Sequence, residues 1–480
     1  MKTLIILLLF GLPFLASQAQ TLQVSEESDN GREMHLQILG KYGDRVLLFG
    51  QYRGDFFVAA RSDTSLKQIW KKEVKLPDNA DFPLLFIRDT AGFTAVFSRY
   101  QQGQTWLSLV HIDSSGQIRV EGDIFSLSDR YTIDKDNLQI SENKRYLAFA
   151  LPTLSRKLHL ALYDLAELRL LWQNHEKISD TEPLREHFAS LVNNKGELFL
   201  FFNQKTSRRQ IKEHHIRAVA IDSSKKISEY VLPIPDIYLQ SCLAAYDERN
   251  QQVIVSGFSA TTANLADAMF YIRLNPATYN SNNNPNEGIS YKNSLYDQSF
   301  LRSVTASRRK KAAGIPNLQA EAIILRQDGG AMLIGEQVTI KNYELTVGGF
   351  PSSPKNVRQQ ADYWIGNVVL GAFHPDGNVH WQNVMHKNQN SENDFGTYSS
   401  FLLLKTPTAL RLLYNQEIFN GTPIYEYSID ALGNSQRKLL EQRVTKQTIK
   451  FRRGVQTGAN EAFVLAEQFN RLYLVKISYP

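Results

Sequence analysis

The sequence predicts an all-β fold: a β-propeller of eight four-stranded blades, or seven if one weak unit extends its neighbour, with one helical insertion. Three observations predict it. A strand motif recurs along the chain, a turn motif recurs beside it at a spacing of roughly 50 residues, and the last unit lacks a strand that the beginning of the chain can supply.

The chain opens on Met1-Lys2-Thr3-Leu4 and an apolar run to Ala16. Ser17-Gln18-Ala19 fits the small-x-small rule of signal-peptidase cleavage, so residues 1–19 read as a signal peptide and Gln20 as the first mature residue. The apolar run is about fourteen residues, short of the roughly 20 that span a bilayer. The expected location is therefore periplasmic or extracellular, and the chain is not expected to be a transmembrane protein. Cys242 is the only cysteine, which excludes an intramolecular disulfide and a cysteine metal cage. It also leaves no cysteine after the leader to carry a lipid anchor. With 42% hydrophobic and 21% charged residues the composition is globular. The formal charge of +6 would suit nucleic acid, but an exported protein seldom meets any. A solvated surface, or one facing anionic glycan or lipid head groups, fits better.

Residues 20–480 read as the propeller. The strand motif is an apolar run closing on a polar pair, often ending in Gln. It appears as Val46-Leu47-Leu48-Phe49-Gly50-Gln51, as Leu198 to Gln204, as Ala331 to Gln337, as Leu410 to Gln416 and as Phe463 to Gln468. Looser versions start at Phe93, Tyr146 and Val253. The turn motif is a strand ending at Asp or a similar residue, sometimes with Gly three places on. It falls at Asp63, Asp113, Asp164, Asp222, Asn275, His374, Asp430 and Ser478. Trp70, Trp172 and Trp381 follow three of these turns. The last unit stops at its third strand, Leu472 to Ile477, and Thr21 to Ser25 can add the fourth, leaving no open edge.

The turn from His374 to Trp381, with Gly377 between, resembles the quinoprotein-type (PQQ-like) repeat of eight-bladed propellers. That family includes pyrroloquinoline-quinone dehydrogenases and periplasmic scaffold proteins of outer-membrane assembly. The chain also resembles uncharacterised exported Bacteroidetes proteins. Neither likeness carries a function, and the dehydrogenases' cofactor is not expected with a single cysteine.

Two insertions, 279–316 and 341–361, stretch the spacing between Asn275 and His374. The first holds an Asn-rich loop and a helix expected over 295–313, with Ser294 as N-cap, Asp297 at N3, and a stripe of Tyr296, Phe300 and Val304. Arg308, Arg309, Lys310 and Lys311 close it, where cations suit the C-terminal dipole. The second is expected as a loop carrying Tyr343 and Phe350. In a propeller, second-to-third-strand turns and blade-to-blade connections share a face. Both insertions would therefore join the loop of Arg208 and Arg209 there, opposite Asp78, Asp81, Asp129, Asp134, Asp136 and Glu182. Such a field can orient a charged partner. A rim of Gln51, Gln204, Gln337, Gln416 and Gln468 would pair with loop backbone or meet sugar hydroxyls or a peptide.

Enzyme signals are thin. No Gly-x-Gly-x-x-Gly, phosphate loop, His-Glu-x-x-His or Gly-x-Ser-x-Gly occurs. Asp134-Lys135-Asp136-Asn137 lacks the Gly and distal Glu of a calcium loop. The sequence thus predicts no metal and no cofactor. It points to a non-catalytic binding or scaffold module for an envelope protein or surface glycan. The alternative is a glycan-active enzyme, glycosidase or lyase, with carboxylates drawn from several blades.

Overall fold

Single strands of this chain serve two cores at once. In the strand Arg45–Tyr52, Val46 and Leu48 share a core with Phe463 and Leu465, whereas Leu47 and Phe49 share one with Phe93 and Val110. Successive side chains point to opposite faces of a strand, so both faces of this one are buried. That is why its sequence is a continuous apolar run and not an alternating one.

The computed structural model describes residues 20–26, 34–152, 157–177, 185–205, 214–234, 238–262, 264–279, 287–306, 312–347, 356–418, 423–441, 447–469 and 471–479. Their strands form eight successive blades, 34–74, 85–127, 138–177, 185–234, 238–295, 318–385, 402–441 and 448–478. The strand Thr21–Val24 completes the eighth by pairing with Arg471–Ser478, Thr21 opposite Ser478 and Val24 opposite Val475. First strands of neighbouring blades touch, as Tyr238–Asp247 does Leu318–Leu325, and so line the axis.

Eight apolar cores fill the eight joints between blades. Phe199 and Phe201 of blade four lie with Phe270 of blade five, and Ile334 and Leu370 of blade six with Leu412 and Tyr414 of blade seven. Phe463 and Leu474 of blade eight meet Leu48 and Phe57 of blade one, which closes the ring. Truncating one such buried ring costs about 3–5 kcal/mol. A four-charge cluster rims the closing joint: Lys41 lies 2.6 Å from Asp63 and 3.3 Å from Glu461, and Lys476 lies 2.8 Å from Glu461.

The turn motif sits where expected, between third and fourth strands. Asp222 Oδ1 accepts from the backbone N–H groups of Ser224 and Lys226, and Asp430 Oδ1 from those of Leu432 and Asn434. The side chain thereby satisfies donors that the tight turn leaves open.

Four expectations change. The stretch 279–316 is not one insertion, because Ile289–Leu295 is the fourth strand of blade five, paired with Ala268–Leu274. Its third-to-fourth turn, with the Asn-rich run 280–286 outside the described residues, lies on the face opposite the helix. The helix is shorter, Gln298–Thr305, and Asp297 is its N-cap, accepting from Phe300 N at 2.8 Å. Ser294 lies in the strand before it, and the buried positions are Leu301 and Val304, with Tyr296 buried ahead of the helix. Finally, the described parts of 341–361 are strand and not loop: Ala331–Val347 and Asn356–Phe373 stay paired out to Val347 and Asn356, and 348–355 lie outside the described residues. The Asp134 stretch is a single 3-10 turn, Lys135–Asn137, closed by Asn137 Oδ1 on Asp134 N. Residues 1–19, expected as a signal peptide, lie outside the described residues.

Candidate functional site

The long hairpin leaves blade six at a break in register between Glu336 and Val338. Beyond it the paired strands project about 30 Å at the usual rise per residue. They do so on the upper face, where second strands turn into third strands and blades connect. The segment after blade six returns along the hairpin: Gln389–Glu392 pairs with residues 362–365 and makes a third strand.

This small sheet displays aromatic side chains to solvent. Trp364 is 42% exposed, Phe395 83% and, across a gap on blade eight, Phe469 76%. Lys341 Nζ sits 5.9 Å from the centre of the Trp364 ring. Tyr343 donates its hydroxyl to Asp362 at 3.0 Å, and that carboxylate raises the phenol above its ordinary value. A cleft of about 730 Å³ opens between Tyr343, Tyr363 and Phe395.

A second cleft, of about 850 Å³, lies between blades six, seven and eight. The strand Gln389–Glu392 walls one side, and Glu417, Ile418, Thr448, Glu467 and Phe469 the others. Tyr398 donates to Glu467 at 2.8 Å, Lys450 lies 2.5 Å from the same carboxylate, and burial pushes the Tyr398 phenol up. Asp394 is satisfied by its own turn, accepting from Ser391 Oγ at 2.8 Å and Gly396 N at 2.9 Å. Glu392 and Glu417 are exposed and form no ion pair among the described residues.

Beneath the clefts runs a buried polar network. Lys387 Nζ lies 2.7 Å from Glu336, with side chains 2% and 1% exposed, and donates to Gln389 Oε1 at 2.9 Å. Ser400 Oγ donates to the other Glu336 oxygen at 2.8 Å. Gln389 Nε2 donates to Asn415 O, and Asn415 Nδ2 donates to Tyr398 O and Ile449 O. Burial pushes the Lys387 ammonium down and Glu336 partly restores it. The network binds blades six, seven and eight to the segment 386–401. Its bonds fix the strand Gln389–Glu392 from below and leave its exposed side to solvent.

On the first strand of blade six, burial and then the Glu336 carboxylate push the Glu321 carboxyl above its ordinary value, opposed by Arg452, Lys387 and Lys135. No group of three or more His, Cys, Asp or Glu side chains among the described residues is gathered to hold a metal ion. None of the described helices is long and apolar enough to cross a membrane.

Of the residues expected to bind, the structure brings Tyr343 to the smaller cleft and pairs the amide of Gln337 with backbone, donating to Pro316 O at 3.3 Å. Arg208, Arg209, Arg308, Arg309, Lys310, Lys311 and Phe350 lie outside the described residues. Sequence reasoning missed Glu336, Lys387, Gln389 and Asn415. The signal was present in the strand motif: in the closing pairs Glu336-Gln337 and Asn415-Gln416 the first member is the buried one, not the Gln after it.

No family model matches the chain, and no curated protein matches it. Among solved structures it is similar to the Dos1 propeller at 10% identity and a TM-score of 0.44, over 95% of this chain and 96% of that one. It is also similar to the β-propeller domain of the Trilobed protease from Pyrococcus furiosus, at 7% identity and 0.39, over 86% and 99%. The WD40 domain of SCAP from fission yeast follows at 9% and 0.36, over 92% and 84%. Likeness at this level carries no argument about function; the fold rests on the pairing and the shared cores.

Proposed function

We propose that this chain is an exported, non-catalytic binding or scaffold module that engages an envelope protein or surface glycan through the upper face of blades six to eight. One observation carries the reading: Phe395 and Phe469 stand exposed at two clefts, with Trp364 exposed on the hairpin, on a support fixed by buried polar bonds. Large aromatic surface held rigidly in the free protein loses little freedom on binding, which is how interface anchors gain their strength. The leader read from residues 1–19 supports a partner in the envelope or outside the cell.

A photo-crosslinking amino acid at Phe395 tests this against one at Leu432, which is exposed on the lower face. With envelope extract the expected result is a discrete adduct from position 395 alone. Equal labelling from both positions, or none from 395, contradicts it.

Glycan cleavage has one observation in its favour, the raised carboxyl of Glu321 beside Glu336. Cleavage uses two carboxyl groups free to act. Glu336 is bound by Lys387 and Ser400, which leaves Glu321 alone and favours the binding reading.

A further inference from the structure

The strand Gln389–Glu392 is paired on one edge only. It joins its sheet through Asn356–Phe373 and has no second neighbour among the described residues. The direction of its peptide groups follows from the register. Asn393 N donates to Ala361 O, so 393 and 361 form a hydrogen-bonded pair, and so do 391 with 363 and 389 with 365. The intervening residues, Asn390 and Glu392, turn their N–H and C=O groups the other way. Val338 agrees from the far side of the hairpin: opposite Ile365, it sends its N–H to Asn317 O and not into the ladder.

That open edge forms a wall of the larger cleft. The side chains of Gln389 and Ser391 are buried in the network below, which fixes the strand's twist and height. The edge is short, four residues, but it carries no proline, lysine or bulge, and its one charge is Glu392. Across the gap Ile418 and Phe469 offer apolar surface, and the exposed carboxylates Glu392 and Glu417 flank the opening. A strand beside Gln389–Glu392 would lie about 4.8 Å away, within the width of a cleft this large.

We propose that this cleft takes an extended, basic peptide segment of a partner protein as an added β-strand, its backbone paired to Asn390 and Glu392, its cations facing Glu392 and Glu417, and its apolar side chains against Phe469. The inference rests on the binding reading of this face and names the partner's chemistry there. Backbone pairing supplies affinity and the flanking groups supply selection.

The test is fluorescence anisotropy of the full chain with a labelled alternating Lys-Val octapeptide, its Glu-Val counterpart, and a Lys-Val copy N-methylated at alternate residues. The Lys-Val peptide should bind, the Glu-Val peptide should not, and N-methylation should weaken binding about tenfold or more through lost backbone bonds. Asn390→Pro removes an N–H that points away from the existing ladder, so it should abolish binding without lowering Tm. Glu392→Gln with Glu417→Gln should weaken binding and flatten its salt dependence. Equal binding of the methylated peptide, or preference for Glu-Val, overturns strand addition, and so does full binding by Asn390→Pro. The methylated peptide decides the matter on the unaltered protein even if that variant unfolds. An adduct at Phe395 alongside such a failure would leave the binding face standing and remove only the strand.

Discussion

Trp381 of blade six lies on Gly433 of blade seven. Its Nε1 donates to Ala431 O at 3.1 Å, and a Cβ at Gly433 would come within 2.5 Å of the indole. Trp70 stands in the same relation to Gly116 of the next blade, where a Cβ would meet the ring at 2.8 Å. The tryptophan of one repeat and the glycine of the next turn are thus one contact between neighbours.

Gly433 also has φ +85°, a conformation that side chains with a Cβ rarely adopt. Gly433→Ala should therefore destabilise twice, by strain and by displacing the indole, with a loss of about 1–3 kcal/mol in chemical denaturation. Gly103→Ala, with φ +81° but open space around it, should cost less.

Lys387→Met leaves Glu336 buried without its partner. The expected loss is about 3–5 kcal/mol, and the double variant Lys387→Met with Glu336→Leu should regain most of it. Denaturation midpoints of the two variants check this. The double variant should also loosen the segment 386–401, visible as faster amide exchange at Gln389 and Ser391.

The turn motif fixes the acid limit of the fold. Asp222 is held low by the hydroxyl of Ser224 and nearby N–H groups. In Asp113 burial opposes the shift, but Gln117 N–H, Ser115 and Arg119 outweigh it. Asp63, Asp164 and Asp430 are lowered as well. A carboxyl lowered in the folded state stabilises above its unfolded value and loses that contribution as pH falls through the folded one. Urea midpoints should therefore be flat near neutrality and fall progressively below about pH 4.

Ring closure gives a further expectation. Removing residues 20–26 opens the edge of Arg471–Ser478 and uncovers the core that Leu22 and Val24 pack against. Thermal unfolding should shift down by several degrees, a loss of about 2 kcal/mol or more. The exposed edge should also promote self-association, visible by light scattering.

The blades were legible because burial on both faces writes itself as an apolar run, and because Asp113, Asp222 and Asp430 mark turns by chemistry. Ile289–Leu295 was hidden: as an outer strand it reads Ile-Ser-Tyr-Lys-Asn-Ser-Leu, too polar to stand out beside the Asn-rich run. The hairpin beyond Val338 was hidden because its strands flank Gly348, Gly349 and Pro351, which read as loop. Glu336 and Lys387 are far apart in sequence and ordinary in type. Only the fold brings them together, and with them the support of the candidate site.

The most direct test of the binding face uses the chain's single cysteine. Cys242 is buried and its thiol is pushed up by that burial, so a maleimide will report on an introduced cysteine alone. Phe395→Cys and Leu432→Cys are labelled before and after mixing with envelope extract. Labelling at 395 should fall on mixing while labelling at 432 stays constant. Unchanged labelling at 395, or protection of 432 in its place, would contradict the account.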